Sequence, residues 1–447
     1  MTALGNCADG PMAGKTRPLK ICLLGYRSNP HSGGQGIYLR YLSKALVDAG
    51  HSVDVISGQP YPELDERVNL IKMPGLNLYE VENPVRALKA KHLLSWADFF
   101  EWWSKLTGGF AEPYTFGRRV AKYLRKHGRD YDIVHDNQSL CYGLLDIEKS
   151  GLPVVATIHH PITRDRQLAL DAAPDWRFRL LVRRWHNFLK MQIKVSRKLR
   201  HIVTVSRQSE RDIIEQFGVK PEQINLIYNG IDTEIFSPSE SVERLPLRIM
   251  TTASADQPLK GLGVLLLALA SLRQRFNGLE LLVVGKLREG GATEELLHRL
   301  DLQNAVQFVS GISNAELVGY YRSATVVACP SLYEGFGLPA GEAMACGAPV
   351  VSSDGGALPE VVGDAGIVVP AGNSQALGEA LGRVLSDISL QAELSAKGRA
   401  RIEDKFSWGL AAASLVAYYR EILGESAVQR RHEDEIVGAD VSGAEAA

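Results

Sequence analysis

The chain has 447 residues, of which 45% are hydrophobic, and its formal net charge is −1. That length exceeds one ordinary core and implies two domains, and the near-zero charge argues against general nucleic-acid binding. The five cysteines Cys7, Cys22, Cys141, Cys329 and Cys346 lack metal-ligand spacing, and several lie in apolar runs, as buried thiols do in a reducing compartment.

Residues 1–18 combine Gly, Pro and isolated charges, offer no apolar core for a signal peptide and read as a disordered lead. KICLLG predicts the first strand. It runs into Asn29-Pro30-His31-Ser32-Gly33-Gly34-Gln35-Gly36, an amphipathic helix to Ala49, a cap at Gly50 and a second strand, SVDVIS. This opening belongs to doubly wound α/β folds. Gly33 and Gly34 start a helix, where free N–H groups suit a phosphate, although a tight turn also uses glycine. The spacing is not G-x-G-x-x-G, which argues against NAD.

HLLSWADFFEWWSKL, from His92, sets Trp96, Phe99, Phe100 and Trp103 on one helical side. Strands follow at DIVHD, PVVATI and HIVTVS. His159 ends PVVATI, at the carboxyl edge where open α/β sheets place ligands; the alternative is a histidine satisfied inside the core. From Trp176 to Arg200 there are nine Lys or Arg and no Asp or Glu. Phe178, Leu181, Val182, Trp185, Phe188 and Leu189 fall there at helical spacing, which predicts one basic amphipathic helix. Its cations, Arg177, Arg179, Arg183 and Arg184 among them, meet an anionic membrane or acceptor, or are solvated above a core-facing stripe. No run of about 18 apolar residues exists to span a membrane.

A polar, proline-bearing connector at 236–246 leads to a second alternation: LRIMTTA, LELLVVG, AVQFVSG, ATVVACP, PVVSSD and GIVVP. The most informative stretch is CPSLYEGFGLPAGEAMACGAP, from Cys329 to Pro349. TVVA reads as a buried strand ended by Pro330, Pro339 suits the first helical position, and Gly347 with Pro349 marks the stop. The loop Gly335-Phe336-Gly337-Leu338 brings backbone amides to a helix start, a site for phosphate. Glu334 in the loop and Glu342 in the first turn face the same place. A phosphate repels carboxylates, so their partners are hydroxyls, and the combination suggests a sugar joined to a diphosphate. Glu342 alone would equally complement the helix dipole.

The Glu334–Glu342 spacing resembles the Glu-x7-Glu signature of the retaining GT-B glycosyltransferases of family four. The likeness runs from about Leu19 to Gly424 and includes GGQGIYLRYLSKALVDAGHSVDVIS, VVATIHH, VTVS, IYNGID, LKGLGVLLLALA, LLVVGK, VQFVSG and PVVSSDGGALPEVVG. It implies an α/β GT-B fold of two doubly wound, Rossmann-like domains facing a cleft. The acceptor-side domain covers 19–240 and the nucleotide-sugar domain 241–405; a helix at 406–424 crosses back to the first domain, and 425–447 reads as a disordered tail. The resemblance further implies Glu334 on the donor sugar, Glu342 on the ribose, His159 against the transferred sugar and Lys260 on the diphosphate. Gly33 and Gly34 lie beside the phosphates in this reading, and Ile312 near the base. Where the family carries an Arg that shares the diphosphate with Lys260, this chain has Ala255; Lys286 and Arg288, after LLVVG, are an alternative source of charge, or a solvated loop.

The activity implied is transfer of a hexose-type sugar from a UDP- or GDP-sugar, with retention, and the basic stretch Trp176–Arg200 points to a lipid-linked or anionic acceptor. No cofactor or metal is expected. Asp130-Tyr131-Asp132 has Asp-x-Asp spacing but precedes a strand and reads as a solvated lead-in. The implied location is cytoplasmic, peripheral on the inner face of the membrane. The rivals are a nucleotide-sugar epimerase or phosphorylase on the same fold, and a donor-binding protein without catalysis.

Overall fold

The computed structural model describes residues 17–424 apart from 31–33, 82, 84–88, 90, 91, 93, 172, 254 and 255. Gly33, Ala255, the lead through Thr16 and the tail from Glu425 therefore lie outside the described residues.

Among the described residues, seven short strands carry the first half of the chain: β1 (Lys20–Gly25), β2 (Ser52–Ser57), β3 (Asn69–Lys72), β4 (Ile133–Asn137), β5 (Val154–Ile158), β6 (His201–Thr204) and β7 (Ile224–Leu226). Six more follow: β8 (Arg248–Thr252), β9 (Glu280–Val284), β10 (Val306–Val309), β11 (Val326–Cys329), β12 (Val350–Ser353) and β13 (Ile367–Val369). They form two parallel sheets, ordered β3-β2-β1-β4-β5-β6-β7 and β10-β9-β8-β11-β12-β13. Each order steps outward from its first strand and then reverses, which opens a crevice at the carboxyl ends of β1/β4 and of β8/β11.

Alternation along the strands feeds a core on both faces of each sheet. Leu24, Ile56, Val134 and Ala156 pack with Phe116 and Leu124 on one face of the first sheet. Leu23, Val55 and Val155 pack with Leu39 and Leu42 on the other. Parallel sheets need this double cover, which is why their strands read as continuous apolar runs. Residues 408–424 are helical and bury Leu415, Tyr419 and Ile422 in that second cluster, so the last helix crosses back onto the first sheet. The Tyr419 hydroxyl bonds His135 Nδ1 on β4. The fold is GT-B-like, with two Rossmann-like layers facing a cleft.

Two expectations need amendment. The edge strands β3 and β7 add to those the sequence predicts, because neither is fully buried and neither carries a strong apolar run. The single helix expected from Trp176 to Arg200 is three pieces: a helix Trp176–Trp185, a single turn His186–Phe188 and a helix Leu189–Ser196. The bend turns Trp185 and Phe188 onto Phe110, with ring centroids at 5.2 and 5.3 Å, and buries Val182 and Leu189. Only the first turns keep their apolar groups outside: Trp176 is 66% exposed, Phe178 48% and Leu181 54%. Leu181 lies near Gly108, and Arg184 donates to Thr107 Oγ1 at 2.9 Å, which joins this tip to the helix Trp96–Leu106. Trp96 and Trp103 on that helix are also more than half exposed. Among the described residues, no helix is long and apolar enough to cross a membrane.

Candidate functional site

Lys260 follows β8 and Glu334 follows β11, so the two flank the crevice where the second sheet reverses. The loops that carry them are stitched together, since Leu332 N donates to Leu259 O at 2.7 Å. Gly261 has a φ of +66°, and a Cβ there would stand 2.0 Å from Pro330 O, so only glycine permits this approach. Lys260 Nζ meets Glu334 Oε1 at 2.7 Å, and Ser331 Oγ donates to the same oxygen at 2.9 Å. Behind the loop, Ala357 N donates to Glu334 O at 2.9 Å. Gly356 makes that contact possible: its φ is +68°, and a Cβ would lie 2.2 Å from Glu334 O. The Glu334 carboxylate is thus held beside a cation at the crevice mouth.

The helix Leu338–Ala345 starts at the N-cap Gly337, with Pro339 in its second position. Glu342 therefore sits in the second turn, one turn deeper than expected. Its Oε2 accepts from Tyr321 OH at 3.0 Å. Burial pushes its carboxyl up to about 7, against the opposing pull of the Tyr321 hydrogen bond. A helix-dipole role for Glu342 would need it in the first turn, so this depth speaks against that alternative.

His159, just past β5, belongs to the facing side. Its Nε2 lies 2.7 Å from Asn137 Oδ1, while Asn137 Nδ2 donates to Gln35 O at 2.9 Å. The amide orientation is thereby set, and His159 carries its proton on Nε2. Gln138 accepts from His159 N at 2.8 Å, and Tyr38 meets the ring edge-on at 4.7 Å. Burial drives the imidazole down to about 3, with His160 adding to the effect, so His159 is neutral across the physiological range.

The two halves touch beside this centre. Ser206 Oγ donates to Gly335 O at 2.7 Å, and Ser209 Oγ, which bonds His159 O at 2.7 Å within the first half, also reaches Gly335 O at 3.2 Å. Arg207 N and Gln208 N, at the start of the helix Arg207–Asp212, donate to the Glu360 carboxylate at 2.8 and 2.9 Å. Tyr333 OH reaches Asp212 Oδ2 at 2.5 Å, and the Arg164 guanidinium lies over the Tyr333 ring at 4.4 Å. A cavity of about 450 Å³ opens here, lined by His160, Arg164 and Leu168 from one side and by Lys260, Tyr333 and Glu334 from the other.

The structure thus brings Lys260, Glu334, Gly335 and the neighbourhood of His159 to one cleft. Gly34 opens the helix Gly34–Asp48 after β1, and Glu342 lies beyond Glu334 on its own helix. Phe336 is buried in the core below the loop, so its contribution is limited to its backbone. Ile312 lies in the turn after β10 and does not line this cavity; neither do Lys286 and Arg288, which lie in the loop after β9. Arg177, Arg179 and Arg183 stand exposed on the Trp176–Trp185 tip, with Arg184 half-buried. Asp132 accepts from Arg17 and from Lys20 N at the amino edge of the first sheet, the end away from the cleft. Sequence reasoning missed Asn137, Gln138, Arg164, Tyr333 and Glu360. The amide pair directly after DIVHD was the one available signal, polar groups at a strand's carboxyl end; Arg164 and Glu360 act only through contacts distant in sequence.

The family profile "Glycosyltransferase Family 4" matches residues 32–235, and "Glycosyl transferases group 1" matches 236–401. The chain is 46% identical over 414 residues to the MMP alpha-(1->4)-mannosyltransferase of Mycolicibacterium hassiacum, covering 92% of this chain and all of that protein. It is 27% identical over 438 residues to the D-inositol 3-phosphate glycosyltransferase of Kribbella flavida, 90% of this chain and 96% of that protein. Among solved structures, sucrose-phosphate synthase from Thermosynechococcus elongatus superposes with a TM-score of 0.69 at 25% identity, covering 91% of this chain and all of that one. With matching profiles on both halves and a full-length relative at this identity, the chain belongs to the family 4 glycosyltransferases, within glycosyl transferases group 1.

Proposed function

We propose that the protein transfers a hexose, mannose by similarity to its 46% identical relative, from a nucleoside diphosphate sugar to an acceptor hydroxyl with retention of configuration. The observation that carries this reading is the Lys260–Glu334–Ser331 cluster at the crevice mouth, with the neutral His159 held on the other half, its carbonyl beside Gly335. In this reading residues 241–405 hold the donor and 19–240 the acceptor. Glu334 and His159 grip the sugar, Glu342 the ribose, and Lys260 with the amides of Gly335 to Leu338 the diphosphate; Gly33 and Gly34 approach the phosphates from the other side. The bond from the anomeric carbon to the diphosphate oxygen breaks through an oxocarbenium-like state, and the acceptor oxygen bonds the same face. The acceptor proton passes to the leaving phosphate oxygen. Lys260 stabilises the charge that grows there, and fixed groups orient the sugar. We propose that no metal is required.

The test is incubation with GDP-mannose, UDP-glucose and related donors, with and without EDTA, over a panel of saccharide and lipid-linked acceptors. Release of nucleoside diphosphate with an α-linked product is expected. Donor isomerisation without transfer would assign an epimerase, and binding without turnover a non-catalytic protein. EDTA-sensitive transfer would remove the metal-free mechanism.

A second observation bears on the acceptor. Trp176, Phe178, Leu180 and Leu181 project from a tip that also carries Arg177, Arg179 and Arg183. Exposed apolar groups ringed by cations suit an anionic lipid surface, where each cation is worth about 1 kcal/mol. This supports a peripheral enzyme on the inner membrane face with a lipid-linked acceptor. Co-sedimentation should require anionic vesicles, fall with salt and drop in the Arg183→Glu/Arg177→Glu variant. Recovery independent of lipid charge, or none at all, would leave a soluble saccharide acceptor.

A further inference from the structure

Among the described residues lining the cleft cavity, the cations are Lys260 and Arg164, and their surroundings differ. Lys260 is already paired with Glu334 at 2.7 Å. Of the other carboxylates there, Asp256 accepts from Thr293 N and Oγ1, each at 2.9 Å, and Asp165 lies 3.5 Å from His160. Arg164 has no carboxylate within ion-pair distance among the described residues. It lies in the first turn of the helix Thr163–Asp171 and stacks on Tyr333, the residue before Glu334. A guanidinium that rests over an aromatic ring donates no hydrogen bond through that contact, so its N–H groups stay available to a ligand. Both phosphates of a sugar diphosphate are ionised, and a single lysine shared with a carboxylate leaves that charge undercompensated.

We infer that Arg164 is a second phosphate-binding residue of the site, presented to the leaving diphosphate from the opposite side of the cleft. The inference rests on the donor class proposed above. Tyr333 explains the placement: its hydroxyl is anchored to Asp212 and its ring supports Arg164, so the Glu334 loop is gripped where the cation is delivered. Lys260 and Arg164 come from different sheets, and a diphosphate that bridges them is held fully only when the cleft is closed around it. Donor binding and closure are then one event, and the charge of the departing diphosphate meets both cations.

The experiment compares wild type, Arg164→Ala and Arg164→Lys in donor kinetics and in calorimetric binding of GDP, UDP, GMP and UMP. Because Arg164 lines an open cleft and forms no ion pair among the described residues, all three should melt together. Arg164→Ala should lower kcat/KM for the donor about tenfold or more. It should weaken the nucleoside diphosphate that wild type prefers while leaving its monophosphate unchanged, and Arg164→Lys should recover part of the loss. Wild-type kinetics in Arg164→Ala, equal weakening of mono- and diphosphate, or a change confined to the acceptor KM would each overturn the assignment. A wild type that turns over no donor, yet loses diphosphate preference in Arg164→Ala, would sink the transferase reading and leave this site standing.

Discussion

Replacing Glu342 by Gln isolates the cost of keeping an ionised carboxylate inside the second domain. Its carboxyl is pushed up to about 7 by burial, from the ordinary glutamate value of 4.5, and among the described residues its one hydrogen bond comes from Tyr321 OH at 3.0 Å. The folded state therefore holds the proton more tightly than the unfolded chain. Stability is fully present below about pH 4.5 and is lost progressively as pH rises to about 7, then stays level. Each pH unit that separates the folded from the unfolded titration corresponds to about 1.4 kcal/mol, so the ionised form costs on the order of 3 kcal/mol. The glutamine side chain is neutral throughout, and its carbonyl still accepts from Tyr321. The gain of Glu342→Gln over wild type should thus be small at pH 4.5 and grow to roughly 3 kcal/mol at pH 8, or roughly 6–12 °C in Tm for a domain of this size. Thermal melts of both proteins across pH 4.5–8 measure it, and the difference cancels other titrating groups such as Glu112, whose carboxyl burial also pushes up to about 7. Parallel curves would refute the reasoning, as would a variant less stable at pH 8. The penalty has a functional sense in the proposed site: a destabilised carboxylate gains most from a ribose that brings it two hydroxyls, so nucleotide binding at pH 6.5 should release a proton in wild type and none in the variant.

Lys260→Ala should reduce turnover at least about tenfold, equivalent to about 1.4 kcal/mol of transition-state stabilisation, in steady-state assays with the preferred donor; a silent variant would move the diphosphate elsewhere. Glu334→Ala should lower kcat more than nucleotide affinity, and Glu342→Ala the reverse, so identical profiles would dissolve their separate roles. The pH–rate profile should show no limb from His159 between pH 5 and 8, because burial holds its pKa down at about 3. Asn137→Asp, which places a carboxylate at Nε2, should raise that pKa and shift an NMR titration of the ring upward. Glu360→Ala removes the acceptor from Arg207 N, Gln208 N and Tyr228 OH. It should cost about 1 kcal/mol, as a lost helix cap does, and enlarge the radius of gyration in solution scattering if those bonds hold the cleft closed.

What the sequence determined by itself is local. Strand and helix identity followed from apolar runs and glycine stops, because a parallel sheet covered on both faces writes continuous hydrophobic strands. The Glu334 loop and the start of its helix were legible from glycines and prolines whose conformations are restricted in known ways. Tertiary structure decided what depends on contacts distant in the chain. The stretch after Trp176 carries one amphipathic period, yet Phe110 and Tyr79 draw Trp185 inward and bend it, so that only its first turns remain outside. The depth of Glu342, and with it a carboxyl that titrates near neutrality, follows from Tyr321 and the packing around it. Arg164 carries no signal in its own segment: it enters the site because the helix after β5 crosses the cleft to Tyr333, 169 positions along the chain. Local patterns are set by the few residues that share a turn or a strand, whereas the charge and shape of a cleft are set by which segments the sheet order brings face to face.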